Sequence, residues 1–262
     1  MPDTWICSQC RSLNEGKGRC YKCRSPRTLT EIKPEDVPTI GRTETIAPTG
    51  RYRSSAFRAL IASAMILGLA TSGVIQEILS TLLVHQLVDG NRNVVAANGP
   101  MFLQVALVRI GFMVGTLVTF AAWLSRVVDN IPPLTGGYPQ ATPRGTIFEV
   151  LIPYFNFLRI PAILREVLRF LQPRGNGAVL VGIAAFPLIL GLVGEFPGGI
   201  LANIVIALVA KGNIRSAVDL ATAYSQVLTA FVTIGSVFLI AVIARVESAS
   251  RRRAAENRDA DR

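Results

Sequence analysis

The sequence has one histidine, four lysines and no cysteine after residue 23. These shortages narrow the possible chemistry at once. There is no H-E-x-x-H pair, no glycine-rich phosphate loop and no nucleophile elbow. His85 stands far from every thiol and reads as a solvated or interfacial residue. No enzyme is expected. Charge is also scarce, at 17% of residues where a soluble domain carries about 25%. The scarcity is concentrated, since residues 59–76, 175–194 and 221–244 carry no charge. Runs of about 20 apolar residues match a hydrocarbon core of about 30 Å at about 1.5 Å per residue. With mean hydropathy at +0.43, the chain reads as an integral membrane protein.

The charges that are present set an expected topology. Of 27 basic residues, 23 fall before residue 59, in the connector 129–175, at the inner span ends Arg126 and Arg245, or in the tail. The positive-inside bias then puts both termini and the connector in the cytoplasm, with the chain in the plasma membrane. The first 58 residues are polar and hold no apolar core of the kind a secretory signal needs.

The fold expected is an all-α membrane bundle of four transmembrane helices in two hairpins. An amphipathic cytoplasmic connector helix joins the hairpins, and a small zinc ribbon precedes them. Residues 1–30 form the ribbon, 31–56 a proline-rich linker and 57–128 the first hairpin, turning at Asp89-Gly90-Asn91. Residues 129–175 form the connector, 176–246 the second hairpin and 247–262 a disordered tail. In the first hairpin the return helix is expected to begin after Gly99-Pro100. In the second, Pro197 is expected to kink or unwind one long helix over 177–210. In the connector, apolar Ile163, Leu164, Val167, Leu168 and Leu171 recur at helix period, with Arg165, Glu166 and Arg169 on the other face. That face either lies down on the membrane interface or packs under the bundle.

Four cysteines, Cys7, Cys10, Cys20 and Cys23, form two C-x2-C knuckles nine residues apart. Two knuckles supply four thiolates to one tetrahedral ion and leave no open position, so the reading is structural zinc. A redox dithiol pair and a metal-free remnant are the alternatives. Trp5-x-Cys7-x2-Cys10-x3-Asn14 with Cys20-x2-Cys23 resembles the Ran-binding-protein type zinc finger. The aromatic and arginine pair of RNA-binding members are missing after Asn14, and the Thr-Phe of ubiquitin-binding members is replaced by Arg11-Ser12-Leu13. Nucleic acid is therefore disfavoured as a partner.

Pro153-x2-Asn156-x4-Pro161-x4-Glu166, set between two apolar hairpins, resembles a bacterial four-helix membrane family of unknown function over roughly 57–253. That resemblance implies a fold and no activity.

Three ionisable residues lie within or beside apolar spans: Glu77, Arg109 and Glu195. If the first hairpin turns near residues 87 and 101, Glu77 and Arg109 differ in depth by about 3 Å, so they are expected to form a structural ion pair. Glu195 has no comparable cation on the neighbouring helix and is the candidate functional carboxyl. The expected role is a membrane-anchored adaptor or sensor whose zinc module meets a cytoplasmic protein. The alternative is a small carrier or channel using the intramembrane charges. Besides the lipid bilayer, a second copy of the chain is a candidate partner, because Gly111-x3-Gly115 allows close helix approach.

Overall fold

A computed structural model describes residues 4–7, 13–15, 31–32, 52–137, 139–152, 155–173, 175–194, 206 and 213–260. The chain divides into two compact units, Met1–Pro48 with Gly136–Tyr138, and Thr49–Thr135 with Pro139–Arg262. In the first unit, β1 (Thr4–Cys7), β2 (Leu13–Glu15) and β3 (Glu31–Ile32) form an antiparallel sheet of order β2-β1-β3. Trp5 lies opposite Asn14, and Cys7 opposite Glu31.

The second unit is helical. Its elements are α1 (Ala56–Val88), α2 (Arg92–Thr135), α3 (Pro143–Leu151), α4 (Phe155–Leu171), α5 (Gly177–Val193) and α6 (Ile214–Ala260). Three of them, α1, α2 and α6, are long and apolar enough to cross a membrane. The helices pack in the order α2-α1-α6-α5, with α3 against α2 and α4 against α5. Between α1 and α2 the chain reverses at Asp89-Gly90, where Gly90 takes φ +82, a left-handed geometry that suits glycine.

The helix pairs come close because small residues face large ones. On α1 and α2, Gly68 lies under the Phe112 ring, while Gly115 receives Met65 at 3.0 Å from its virtual Cβ. Of the Gly111-x3-Gly115 pair, Gly111 faces open space. On α5 and α6, Gly191 faces Val232 and Gly235 faces Leu188. Close approach replaces hydrophobic drive where the surroundings are as apolar as the helices.

The expected start of the return helix is corrected. α2 begins at Arg92, eight residues before Pro100. The carbonyl that Pro100 deprives of an N–H belongs to Ala96, which is exposed, so water can satisfy it. α2 also runs through Pro132-Pro133, a pair that ordinarily breaks a helix. Its last carbonyls are taken by side chains: Asn257 donates to Pro133 and Leu134 oxygens (3.4 and 3.1 Å), and Thr135 to Ile131 (2.9 Å).

The tail is corrected as well. Rather than being disordered after residue 246, the chain continues α6 to Ala260. Val246, Ala249, Ser250 and Ala254 are buried at helix spacing, and Arg253 donates to the Leu171 oxygen at the end of α4 (3.3 Å). Small residues and arginines form helix readily once one stripe has a core to face.

That core sits at one end of the bundle. Ile163, Leu164, Val167, Leu168 and Leu171 of α4 are buried there with Trp123, Leu124 and Val127 of α2, Val181 of α5, and Val242 and Ile243 of α6. The α4 apolar face therefore packs under the bundle, and of the two expectations the membrane-lying one is not met. Towards the other end, α2 turns Leu103, Leu107, Ile110, Val114 and Val118 outward. A helix exposing that much apolar surface at span length faces lipid.

Candidate functional site

The polar groups of the helical unit gather in two places, one at each end. At the core end, Ser55 precedes α1 but makes no cap; its hydroxyl instead donates to Glu247 Oε1 at 2.5 Å. Trp123 Nε1 donates to the same oxygen at 3.0 Å. Glu247 is only 5% exposed, and its Oε2 has no partner among the described residues. Beside this pair, the buried Asn130 amide donates to the Arg53 oxygen (2.8 Å) and accepts from the Arg53 N–H (3.1 Å). Asn130 thereby treats one backbone residue as a strand neighbour would. Tyr52 completes the cluster; burial, and then the Glu247 carboxylate, raise its phenol above the ordinary value. The residues preceding α1 are in this way fastened to α2 and α6.

Glu247 is a site residue that the sequence reading missed. The signal was present: Ile243, Glu247, Ser250 and Ala254 share one helical stripe, so Glu247 holds a core position. The expectation of disorder beyond residue 246 concealed it.

Towards the opposite end, Glu77 lies on α1, eleven residues or about 16 Å from the helix terminus at Val88. It accepts a short hydrogen bond from the Ser225 hydroxyl of α6. Arg109 of α2 reaches α1 at Gln76, donating to Oε1 at 3.2 Å, with its guanidinium beside Gly73. Among the described residues, no ion pair joins Glu77 to Arg109. The reason is angular: neighbouring helical positions differ by about 100°, so Gln76 faces α2 while Glu77 faces α6. Depth alone had predicted the pair, and depth does not fix the face.

Two cavities meet at Glu77, both between α1 and α6. One, of about 520 Å³, is lined by Val74, Ile78, Leu82 and Ile234 as well as Glu77 and Thr81. The other, of about 320 Å³, is lined by Glu77, Ser80, Thr81, Thr222, Tyr224 and Ser225. The Thr81 hydroxyl is buried and has no hydrogen-bond partner among the described residues. Tyr224 donates to the Gly194 oxygen at 3.1 Å, which ties α6 to the end of α5. Among the described residues of the second lining, one carboxylate and five hydroxyl-bearing side chains stand with Val84, Val218, Ala221 and Leu228, and none is a cation. Such a set attracts a positive charge.

Glu195, Pro197, Cys10, Cys20 and Cys23 lie outside the described residues, and of Cys7 only the strand is described. Among the described residues no cluster of three or more His, Cys, Asp or Glu could hold a metal.

Residues 87–183 match the family described as Domain of unknown function (DUF4328). The match runs from the end of α1 to the first turns of α5, a narrower span than the expected 57–253. It covers the connector and carries no activity. No curated protein and no solved structure matches the chain.

Proposed function

We propose that this protein is a four-span membrane carrier that binds a cationic substrate at Glu77. The observation behind this reading is a carboxylate at membrane depth whose described surroundings offer hydroxyls and no cation. An ionisable group in an apolar span is costly, and a bound cation or proton offsets that cost. Four spans require α5 to count as one: its 17 described residues carry no charge and rise about 26 Å, close to a hydrocarbon core of about 30 Å. The positive-inside bias puts both termini and the connector in the cytoplasm of the plasma membrane. The carrier has no catalytic step of its own.

The reading is tested by carbodiimide labelling, since dicyclohexylcarbodiimide modifies protonated carboxyls in apolar surroundings. Membranes holding the full chain should yield an adduct at Glu77, absent in Glu77→Gln. Sodium, tetramethylammonium or tetraphenylphosphonium should suppress it if one of them occupies the site. An adduct untouched by all three cations, with no flux of any of them in proteoliposomes, would sink the carrier reading.

A second reading has its own support. The doubled C-x2-C spacing occurs in a segment whose short strands pair antiparallel on both sides of β1, as in small zinc modules. Four thiolates from Cys7, Cys10, Cys20 and Cys23 would hold a structural zinc, and the module would then recruit a cytoplasmic protein. Metal analysis of the purified full chain should give about one zinc, lost on Cys7→Ser. A metal-free protein would remove this reading and leave the carrier untouched.

A further inference from the structure

We infer that the substrate is a lipophilic organic monocation, which enters from the bilayer and lies with its charge at Glu77 and its apolar body in the groove between α1 and α6. This rests on the reading of Glu77 as the binding carboxylate and deepens it.

The argument is the junction of two unlike cavities at one carboxylate. Val74, Ile78 and Leu82 follow each other at intervals of four and form one stripe along α1. Across from the stripe stand Thr229, Ala230, Thr233 and Ile234 of α6. Val74, Ile78, Leu82 and Ile234 are all exposed at span depth, so the groove opens sideways into hydrocarbon rather than towards water. Its volume of about 520 Å³ falls within the ordinary range for small-molecule sites, about 300–1,000 Å³.

Glu77 and Thr81 belong to both linings, so the groove and the hydroxyl cavity are two compartments of one site. A hydrated inorganic ion would use the hydroxyl compartment and leave the groove to a lipid chain. A neutral apolar ligand would use the groove and leave Glu77 uncompensated. Only a molecule with both a cationic head and an apolar body satisfies both halves. Charge complementarity selects the head, since Glu77 is the single carboxylate among the described lining residues and Arg109 meets α1 on the Gln76 side. The Thr81 hydroxyl, without a partner among the described residues, lies at the junction, where it can turn an oxygen lone pair towards the head.

The test uses the full chain in lipid nanodiscs and two radiolabelled probes, tetraphenylphosphonium and tetramethylammonium. Tetraphenylphosphonium should bind saturably. Its affinity should fall about tenfold or more in Glu77→Gln, as removal of a charged partner usually does. Ala230→Trp fills the groove without touching the carboxylate. It should weaken tetraphenylphosphonium by a similar factor and leave any tetramethylammonium binding unchanged. Ile78→Trp repeats the test from the α1 side, in case Ala230→Trp disturbs folding. If both probes bind through Glu77 and neither tryptophan matters, the lipophilic inference fails and the carboxylate reading stands. If tetraphenylphosphonium uptake is unsaturable and equal in Glu77→Gln, it is partitioning into the bilayer and both fail. Binding of neither probe also removes both.

Discussion

The two ends of this bundle handle polarity in opposite ways. At the core end, apolar side chains turn inward and a charged group is enclosed with them: Trp123, Leu164 and Val246 surround the region where Glu247 takes its two hydrogen bonds. Towards the Asp89–Gly90 turn, apolar side chains point outward from α2, and the polar groups Glu77, Thr81 and Ser225 lie between the helices. The first arrangement is that of a protein in water and the second that of a protein in lipid. The change occurs within single helices. About 66 Å of α2 and about 70 Å of α6 far exceed a hydrocarbon core of about 30 Å. Each long helix therefore serves as a span over part of its length and as a core helix over another part. Stability should reside at the core end, and binding where the packing is looser.

The sharpest way to break that contrast is at Trp123, which is fully buried and stacks at a tilt on Phe120, with centroids 5.4 Å apart. Trp123→Ala should cost about 3–5 kcal/mol, the usual range for a large aromatic removed from a core. A thermal melt in mild detergent, followed by loss of monodisperse protein, gives the measurement. A shift of less than a degree would mean that the core end does not hold the bundle together.

Glu247 refines the comparison, because it separates the value of a charge from that of an acceptor. Glu247→Ala strands the Trp123 N–H and the Ser55 hydroxyl, at about 2–4 kcal/mol for two buried donors left unpaired. Glu247→Gln keeps an acceptor for both and removes a buried charge whose second oxygen has no partner among the described residues. It should lie within about 1 kcal/mol of the parent on either side. Equal losses for the two variants would show that the negative charge itself is required.

Most of the architecture was legible in the sequence. The charge-free runs place α1 and the apolar part of α6, and Asp89-Gly90 marks the turn. The apolar period from Ile163 to Leu171 gives the α4 face. The helix α3 was not anticipated, although Thr142 caps its start by accepting from the Gly145 N–H at 3.0 Å and Pro143 follows at the first helical position. What else escaped were effects that arise between elements. Pro132-Pro133 is a breaker by local rules, yet α2 continues through it and ends where Asn257, 124 residues from Pro133, takes the Pro133 and Leu134 carbonyls. The tail reads as disordered because its stripe is made of alanine and serine, which signal burial only when a partner surface exists. Glu77 and Arg109 share a depth, and only the helix order α2-α1-α6 decides that they point to different neighbours. The groove at Glu77 is composed of ordinary span residues from two helices far apart in the chain, and no local pattern announces it.

Alkaline titration gives a smaller effect at the same end. The Tyr52 phenol is raised above 10.0 by burial and by the Glu247 carboxylate, so it ionises later in the folded protein than in the unfolded chain. Between the two values the folded state holds more protons, and stability falls as pH rises above about 10. Below that range Tyr52 is neutral in both states and contributes no slope. Tyr52→Phe should melt with a shallower pH dependence than the parent above about pH 10 and with the same dependence below about pH 9. Identical slopes on both sides of that point would show that Tyr52 meets water freely.

The smallest effect on stability is expected where the core end exposes apolar side chains. Phe148 and Leu158 are 68% and 76% exposed, and Leu151 and Ile152 are exposed with them. All four flank the junction of α3 and α4, where Arg159 holds Glu149 through two hydrogen bonds of 2.9 and 3.2 Å. That pair raises the Arg159 guanidinium further above its ordinary value, and it fixes the junction rather than covering its apolar surface. α4 packs along the first turns of α5, with Leu168 against Gly177 and Arg165 at 3.6 Å from the virtual Cβ of Gly182. These exposed apolar groups are what the connector offers to the headgroup boundary of a bilayer, since the stripe of α4 is buried. Leu158→Ser should therefore leave the detergent melt within about 0.5 kcal/mol of the parent, as surface changes do, while Leu164→Ser unfolds the core end. A nitrobenzoxadiazole label on the thiol of Leu158→Cys, with the four native cysteines replaced, should be quenched by doxyl lipids in proteoliposomes and shielded from iodide. The same label on Arg252→Cys, on the exposed side of α6, should show the reverse. Iodide quenching at position 158 equal to that at position 252 would place the junction in water and erase the proposed membrane contact.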